Sequence, residues 1–315
     1  MRFLFVIDEL KKLKPQTDST IDIMQECVND GLEAYFCHLK DLLFAKGAVQ
    51  VSATHATIAN KKIKQKGTIQ KSLDFFDLIF MRKEPPYDLN YHYATMLLEK
   101  SNTPVFNSPQ GLRNANEKLS ILNFPNIIPK TLVSRDVKKI DEFLEENKNI
   151  IIKPIHLFGG KGLMVLNSKD SKAIGKIRNM TKAGADYVLV QEFLPEIKNG
   201  DKRILLLNGE SLGGIRRIPK KGSFKANLAQ GGTPLKLDLQ AQDHSIIQAI
   251  KPYLQKQGLV FVGIDIIGDK LIEINVTCPT GLVQLRKLDK KNVTKAIVEF
   301  MKSKARKHPL RMKGT

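Results

Sequence analysis

Tryptophan is absent from this 315-residue chain and cysteine occurs only three times. No apolar run reaches the roughly 18 residues that a membrane-spanning helix needs. Cys27, Cys37 and Cys278 form no CxxC pair, which argues against a disulfide framework or a structural zinc site and leaves them as small hydrophobes. Acidic charge is also short, with 32 Asp and Glu against 51 Lys and Arg, a net charge of +19. Such an excess raises the possibility of nucleic-acid binding. The basic residues are scattered, however, with small groups at Lys61, Lys62, Lys64 and Lys66 and in the tail from Lys302 to Lys313. No aromatic residues interleave with that tail to stack bases. The expectation is therefore a protein with neither a nucleic-acid nor a membrane partner, acting on polyanionic small molecules. The opening MRFLFVIDEL turns acidic too soon for a secretory signal and reads as a first strand, so the expected location is cytoplasmic.

What is present alternates between strand and helix. Strands are expected at 2–8, 34–39, 77–81 and 104–107, with helices at about 18–30 and 89–100 and a surface hairpin over 43–58. This order predicts a parallel sheet covered by helices. After Lys118 the pattern changes: strand, helix (137–147), strand (150–154), glycine loop, strand (163–166), helix (171–183) and strand (187–193). From Asp201 longer, hairpin-like strands follow at 202–208, 211–218, 259–267 and 270–276, with helices at 240–257 and 291–303. Three units are expected: 1–120, 121–200 and 201–315.

The segment Val262 to Asn275 is the most informative. Gly268-Asp269 is a turn signal between two β-rich runs. A three-residue loop centred on Asp269 sets Asp265 opposite Glu273 and gathers Asp265, Glu273 and Asn275 on one face, with Ile264, Ile266, Ile272 and Ile274 on the other. Opposed carboxylates repel unless a cation lies between them. Their hard oxygens suit Mg²⁺, or Mn²⁺ in its place; a solvent-washed polar face is the plain alternative. Phe158-Gly159-Gly160-Lys161-Gly162 joins two strands and has neither Walker A spacing nor a following helix. It is either a simple turn or a flexible flap whose N–H groups close over phosphates. Lys153 ends the apolar run Ile150-Ile151-Ile152, where a lysine is costly unless it meets an anion.

Taken in order, these segments resemble the bacterial glutathione synthetases, ligases of ATP-grasp fold. The match is carried by Asp18-Ser19-Thr20, Met81-Arg82-Lys83-Glu84-Pro85-Pro86, Asn116-Glu117-Lys118-Leu119, Ile152-Lys153-Pro154, Gly159-Gly160-Lys161-Gly162, Gln191-Glu192-Phe193-Leu194, Asp201-Lys202-Arg203 and Asp265 through Glu273-Ile274-Asn275. The resemblance implies an ATP-grasp fold, α/β and α+β, behind an N-terminal parallel-sheet domain. It implies ATP-dependent joining of γ-glutamylcysteine to glycine through an acyl phosphate. Lys118 and Lys153 would contact phosphate under the flap Gly159, Gly160, Lys161 and Gly162. Gln191, Glu192, Phe193 and Leu194 would read adenine, and Asp201 the ribose side. Asp265, Glu273 and Asn275 would hold Mg²⁺. Arg203, Arg217 and Asn227 would hold the acyl phosphate and peptide, and Arg82, Asp18 and Ser19 the donor peptide. A homo-oligomer, such as a tetramer, is implied as well. Glu84, Lys225, Cys278 and Val283 depart from the family pattern, the last three on the second-substrate side, which keeps open another ATP-grasp ligase with a different acid and amine, for example a glutamate-adding one. A basic nucleic-acid-binding protein on a dead ligase fold is the rival of another class.

Overall fold

The computed structural model describes residues 1–306, so the end of the basic tail lies outside the described residues. The N-terminal apolar run forms β1 (Arg2–Val6), parallel to β2 (Glu33–Cys37). Between them α1 (Ser19–Asn29) begins at Asp18, whose carboxylate accepts from the N–H groups of Thr20 and Ile21 at 2.7 and 2.9 Å. This satisfies donors that the helix itself leaves unpaired. There follow β3 (Leu42–Ala45), β4 (Ala48–Ala59), β5 (Lys62–Ser72), β6 (Leu78–Met81), α2 (Leu89–Leu98), β7 (Val105–Phe106) and α3 (Pro109–Asn114). The sheet runs β3-β4-β2-β1-β6-β7, with β5 beside β4. Its β2-β1-β6-β7 part is parallel and the rest antiparallel. The expected hairpin over 43–58 is β3–β4, but the long β5 was not expected. Its Lys62, Lys64, Lys66 and Lys71 are exposed and only Ile63, Ile69 and the terminal Ser72 are half-buried, so it lacks the apolar face that marks a strand in sequence. Pairing with β4 supplies what the side chains do not.

A second, antiparallel sheet follows, in the order β10-β9-β11-β8. Its strands are β8 (Thr131–Ser134), β9 (Asn149–Pro154), β10 (Met164–Asn167) and β11 (Val188–Glu192); α4 (Val137–Asn147) and α5 (Ala173–Met180) cover one face. Ile140, Leu144, Ile150, Ile152, Ile177, Val188 and Val190 give this small unit a core of its own. Alternation along β9 and β11 then turns Ile151, Lys153 and Gln191 to the opposite, uncovered face.

The third sheet, β14-β13-β12-β15-β16, consists of β12 (Asp201–Leu207), β13 (Glu210–Ile218), β14 (Thr233–Lys236), β15 (Phe261–Ile267) and β16 (Lys270–Asn275), all antiparallel. The helix α6 (Ala241–Lys256) buries Ile246, Ile247, Ile250 and Leu254 in a core shared with the α2 face of the first sheet. Two further helices follow, α7 (Leu282–Asp289) and α8 (Val293–Arg306). Ile297, Val298 and Met301 of α8 pack with Ile21, Ile23 and Met24 of α1, over the other face of the first sheet. Buried Asp22 fixes this junction, accepting from Thr294 Oγ1 at 2.7 Å and pairing with Lys61 and Arg286 at 2.9 and 3.1 Å.

Candidate active site

The register of the third sheet assembles the charged centre. Asp201 stands opposite Arg217, Arg203 opposite Asp265, and Asp265 opposite Glu273. The last pairing agrees with the sequence reading, but by another route. The loop is only two residues, Gly268-Asp269, and the odd residue lies in the strand, at a bulge that leaves Ile272 outside the Ile266–Leu271 and Asp265–Glu273 pairs. Ile272 therefore faces the cleft with Ile267, not the core with Ile264 and Ile274, and Leu271 takes the expected core place.

Arg203 grips Asp265 with a two-pronged fork, Nε to Oδ1 and Nη2 to Oδ2, the latter at 2.8 Å. Arg217 bridges two carboxylates: Nε donates to Asp201 Oδ1 at 2.7 Å, and Nη2 lies 3.0 Å from Asp265 Oδ2. All four side chains are buried. Burial pushes the Asp265 carboxyl up, but the two guanidiniums outweigh it and hold it well below the usual range. Glu273 goes the other way. Burial raises it, and Lys118, with Nζ 3.6 Å from Oε1, offsets only part of the rise. Burial lowers Lys153 to about 8, against the attraction of Glu273. Burial also raises Asp201.

One cleft between the second and third sheets is lined by Lys118, Lys153, Gly159, Gly160, Lys161, Gln191, Glu192, Phe193, Leu194, Asp201, Asn227, Asp265, Ile267, Ile272 and Glu273. An adjoining cavity shares Gly159, Lys161, Asn227 and Glu273, and adds Glu84, Arg203, Arg217, Asn275, Thr277 and Cys278. The glycine loop forms the wall common to both. Gly159, Gly160 and Gly162 all have positive φ (63°, 74° and 69°), and a Cβ on Gly160 would come within 2.7 Å of Asn227 Oδ1. Gly162 lies behind the loop, against Leu157 and Pro154.

Residues 1–113 match the prokaryotic glutathione synthetase N-terminal domain, and residues 117–290 match the ATP-grasp domain of prokaryotic glutathione synthetase. The chain belongs to the prokaryotic glutathione synthetase family. It is an ATP-dependent ligase of ATP-grasp fold. A glutathione synthetase from Prochlorococcus marinus subsp. pastoris is 38% identical over 304 residues, covering 95% of this chain and 98% of that one. Another from Synechocystis sp. is 38% identical over 304 residues, covering 92% and 95%. Among solved structures, that of D-cycloserine synthetase DcsG has a TM-score of 0.69 over 96% of this chain and 99% of the other, at 13% identity, a likeness of fold alone.

Arg82, Asp18 and Ser19, the residues expected to bind the donor peptide, line neither of these two cavities. Arg82 is buried behind the cleft, where Nε donates to Thr20 Oγ1 and Nη2 to the Pro279 carbonyl, both at 3.0 Å, with its guanidinium against Phe80 and Phe261. Asp18 caps α1, and Ser19 is buried, its Oγ accepting from Leu282 N–H at 3.3 Å. Cys278 does reach the cavity, but burial raises its thiol to about 12, so it stays neutral. Val283 is buried in α7.

Sequence reading gave no role to three supports. Glu117 Oε1 accepts from Val276 N–H, Thr277 N–H and Thr277 Oγ1 at 3.0, 3.1 and 2.8 Å, fixing Lys118 beside the end of β16. Asn107 donates to the carbonyls of Phe261 and Val276 and accepts from Phe261 N–H, tying β15 and β16 to β7. Gln230 donates to the Gly159 carbonyl at 3.1 Å and so latches the glycine loop. Glu117 and Asn107 had a visible signal, each lying in a segment that carries the family resemblance, and Gln230 had none.

Proposed function

We propose that this cleft binds ATP and a divalent cation and that the adjoining cavity binds γ-glutamylcysteine and glycine, which the enzyme joins to glutathione with release of ADP and phosphate. One arrangement carries the reading. Asp265 and Glu273 line the cleft with Lys118 and Lys153 beneath a glycine flap, and Asn275, Arg203 and Arg217 line the adjoining cavity.

The donor set suits Mg²⁺, or Mn²⁺ in its place. Among the described residues no group of three or more His, Cys, Asp or Glu could hold a metal ion; two carboxylates and the Asn275 amide would leave positions for phosphate oxygens and water. Asp265 Oδ1 accepts from Arg203 Nε alone and keeps a second lone pair, whereas Oδ2 is met by both arginines and the Asn275 amide. Bound there, the cation would neutralise charge on the transferring phosphoryl group. Lys153 and Lys118 hold phosphate oxygens, and the flap of Gly159, Gly160, Lys161 and Gly162 covers them. Gln191 through Leu194 line the adenine end, with the apolar Ile267 and Ile272 beside them, and Asp201 the ribose side. The carboxylate of the cysteine residue takes the phosphoryl group, and the amine of glycine then displaces phosphate. Arg203, Arg217 and Asn227 orient the acyl phosphate and the peptide, and no enzyme nucleophile is needed, consistent with a neutral Cys278. Latching of the flap by Gln230 keeps water from the acyl phosphate. The assembly is a homo-oligomer, and the site is cytoplasmic.

Among the described residues no helix is long and apolar enough to cross a membrane. Phosphate release measured with γ-glutamylcysteine plus glycine, against a panel of other acid–amine pairs, tests the substrate assignment. Turnover fastest with a different pair overturns it while leaving the ATP half intact.

A further inference from the structure

We propose, on the ligase reading above, that Glu84 is the base that frees the incoming amine for attack on the acyl phosphate. At neutral pH the amine of a free amino acid is protonated, and an ammonium has no electron pair with which to attack. A group beside the acceptor must take that proton before the C–N bond forms.

The adjoining cavity offers few groups that can take it. Among the described residues its carboxylates are those of Glu84, Glu117 and Glu273. Glu117 Oε1 is occupied by three hydrogen bonds from Val276 and Thr277. Glu273 stands beside Lys118 and is read above as a cation ligand. Cys278 is a neutral thiol, and the hydroxyls of Thr277 and Thr280 are not basic. Of the three carboxylates, Glu84 alone has neither a hydrogen-bond nor an ion-pair partner among the described residues.

Its backbone is fixed while its side chain is free. Glu84 follows β6 at the carboxyl ends of the parallel strands β1 and β6, where open α/β sheets hold ligands. Asp8, just past β1, accepts from Glu84 N–H through Oδ2 at 2.8 Å, and its Oδ1 pairs with Lys83 Nζ at 3.0 Å. Lys83 is thereby taken by Asp8, and Arg82 by Thr20 and the Pro279 carbonyl. Desolvation, then the nearby charges of Asp8 and Asp18, raises the Glu84 carboxyl above its ordinary value, against Arg82 and Lys83. A raised carboxyl holds a transferred proton better than an ordinary one.

Charge sorts the cavity walls. Arg203 and Arg217 of the third sheet and Lys161 of the flap suit the acyl phosphate, whereas Glu84 suits an ammonium. In the step, one ammonium proton passes to a Glu84 oxygen and the nitrogen pair forms the C–N bond. The C–O bond to phosphate breaks with its electrons on the leaving phosphate, which carries off the second nitrogen proton.

Initial rates with γ-glutamylcysteine, ATP and either glycine or hydroxylamine, in the wild type, Glu84→Gln and Glu84→Asp, test this. Hydroxylamine is already neutral at pH 7 and needs no base to free its electron pair. Glu84→Gln should lower kcat with glycine by about 10²–10⁴-fold, the usual contribution of a positioned base, and hydroxamate formation by a much smaller factor, with an unchanged circular dichroism spectrum. Its glycine rate should climb steadily with pH, tracking the free amine, across a range in which the wild type is level. Glu84→Asp should recover most of the rate lost with glycine. An equal loss with both nucleophiles, or near-normal glycine turnover in Glu84→Gln, overturns the base assignment. Wild-type turnover fastest with an amine other than glycine overturns the substrate reading instead, and the same comparison made with that amine still decides Glu84.

Discussion

Asp265 and Glu273 face each other across β15 and β16, yet the cations of the cleft are divided unequally between them. Arg203 and Arg217 both hold Asp265, whereas Glu273 has one lysine at 3.6 Å. Their carboxyl groups accordingly shift in opposite directions. Asp265 is a fixed anion within the sheet, and Glu273 is the carboxylate left for a further cation.

Glu273→Gln keeps the shape of that side chain and removes its charge. The fold should survive, because the replaced carboxylate is buried and short of partners, a state that already disfavours ionisation. Ligase turnover should fall by about 10²–10³-fold, the loss typical of one electrostatic group that stabilises a transition state. ADP release and thermal melting, measured together, check this. Near-normal turnover removes the metal assignment.

Lys153 predicts a pH dependence. With its ammonium lowered to about 8, the apo enzyme loses that charge as pH rises through this value, and ATP affinity should weaken on the same limb. Its stability linkage has the opposite sign. Between about 8 and the ordinary lysine value the unfolded chain binds the extra proton, so this group's contribution to apo stability rises with pH. Lys153→Met should weaken ATP binding about 10–100-fold, the range for a charged hydrogen bond, abolish the pH dependence of affinity above 8, and leave apo melting at neutral pH unchanged or higher. Calorimetric titration with a non-hydrolysable ATP analogue at several pH values reads all three. Unchanged affinity would sink the assignment.

The parallel strands, α1, the glycine loop and the acidic hairpin were legible because each follows from local periodicity or turn chemistry. Lys153 was legible for a stronger reason: a lysine closing an isoleucine run conflicts with its own strand. What escaped depends on partners distant in sequence. The β5 strand has no apolar face of its own. The compensating bulge at Ile272 leaves the same carboxylate pairing as the expected longer loop, so the pattern of acids could not distinguish them. Arg82 donates to Thr20 and to the carbonyl of Pro279, almost 200 residues away, contacts that no local pattern announces. Gln230 lies in a stretch without periodicity, and its value is set by where the flap lands.

Gln230→Ala removes the only side-chain hydrogen bond described between its loop and the flap. A neutral, partly exposed bond contributes about 0.5–1.5 kcal/mol, so the flap should open a few-fold to tenfold more often with little change in melting. ADP release with γ-glutamylcysteine present and glycine absent should then rise relative to full turnover, as water reaches the acyl phosphate. An unaltered ratio of the two rates would show that Gln230 does not govern closure.

Arg217→Met tests the charge network of the sheet. Arg217 lies between buried Asp201 and Asp265, and its removal leaves two carboxylates sharing the remaining positive charge of Arg203. Breaking a buried pair from one side costs about 3–5 kcal/mol at neutral pH. In the wild type Asp265 is depressed below its unfolded value, so its contribution is present above that value and is lost only as pH falls through the lower, folded one. In the variant the Asp201 carboxyl, which burial already raises, rises further, so the folded variant takes up a proton that the unfolded chain does not. Acidification from pH 8 to 5 should therefore narrow the stability gap between variant and wild type. Urea unfolding across that range measures the gap; one that stays constant with pH means that Arg217 supports the sheet by packing and not by neutralising its two carboxylates.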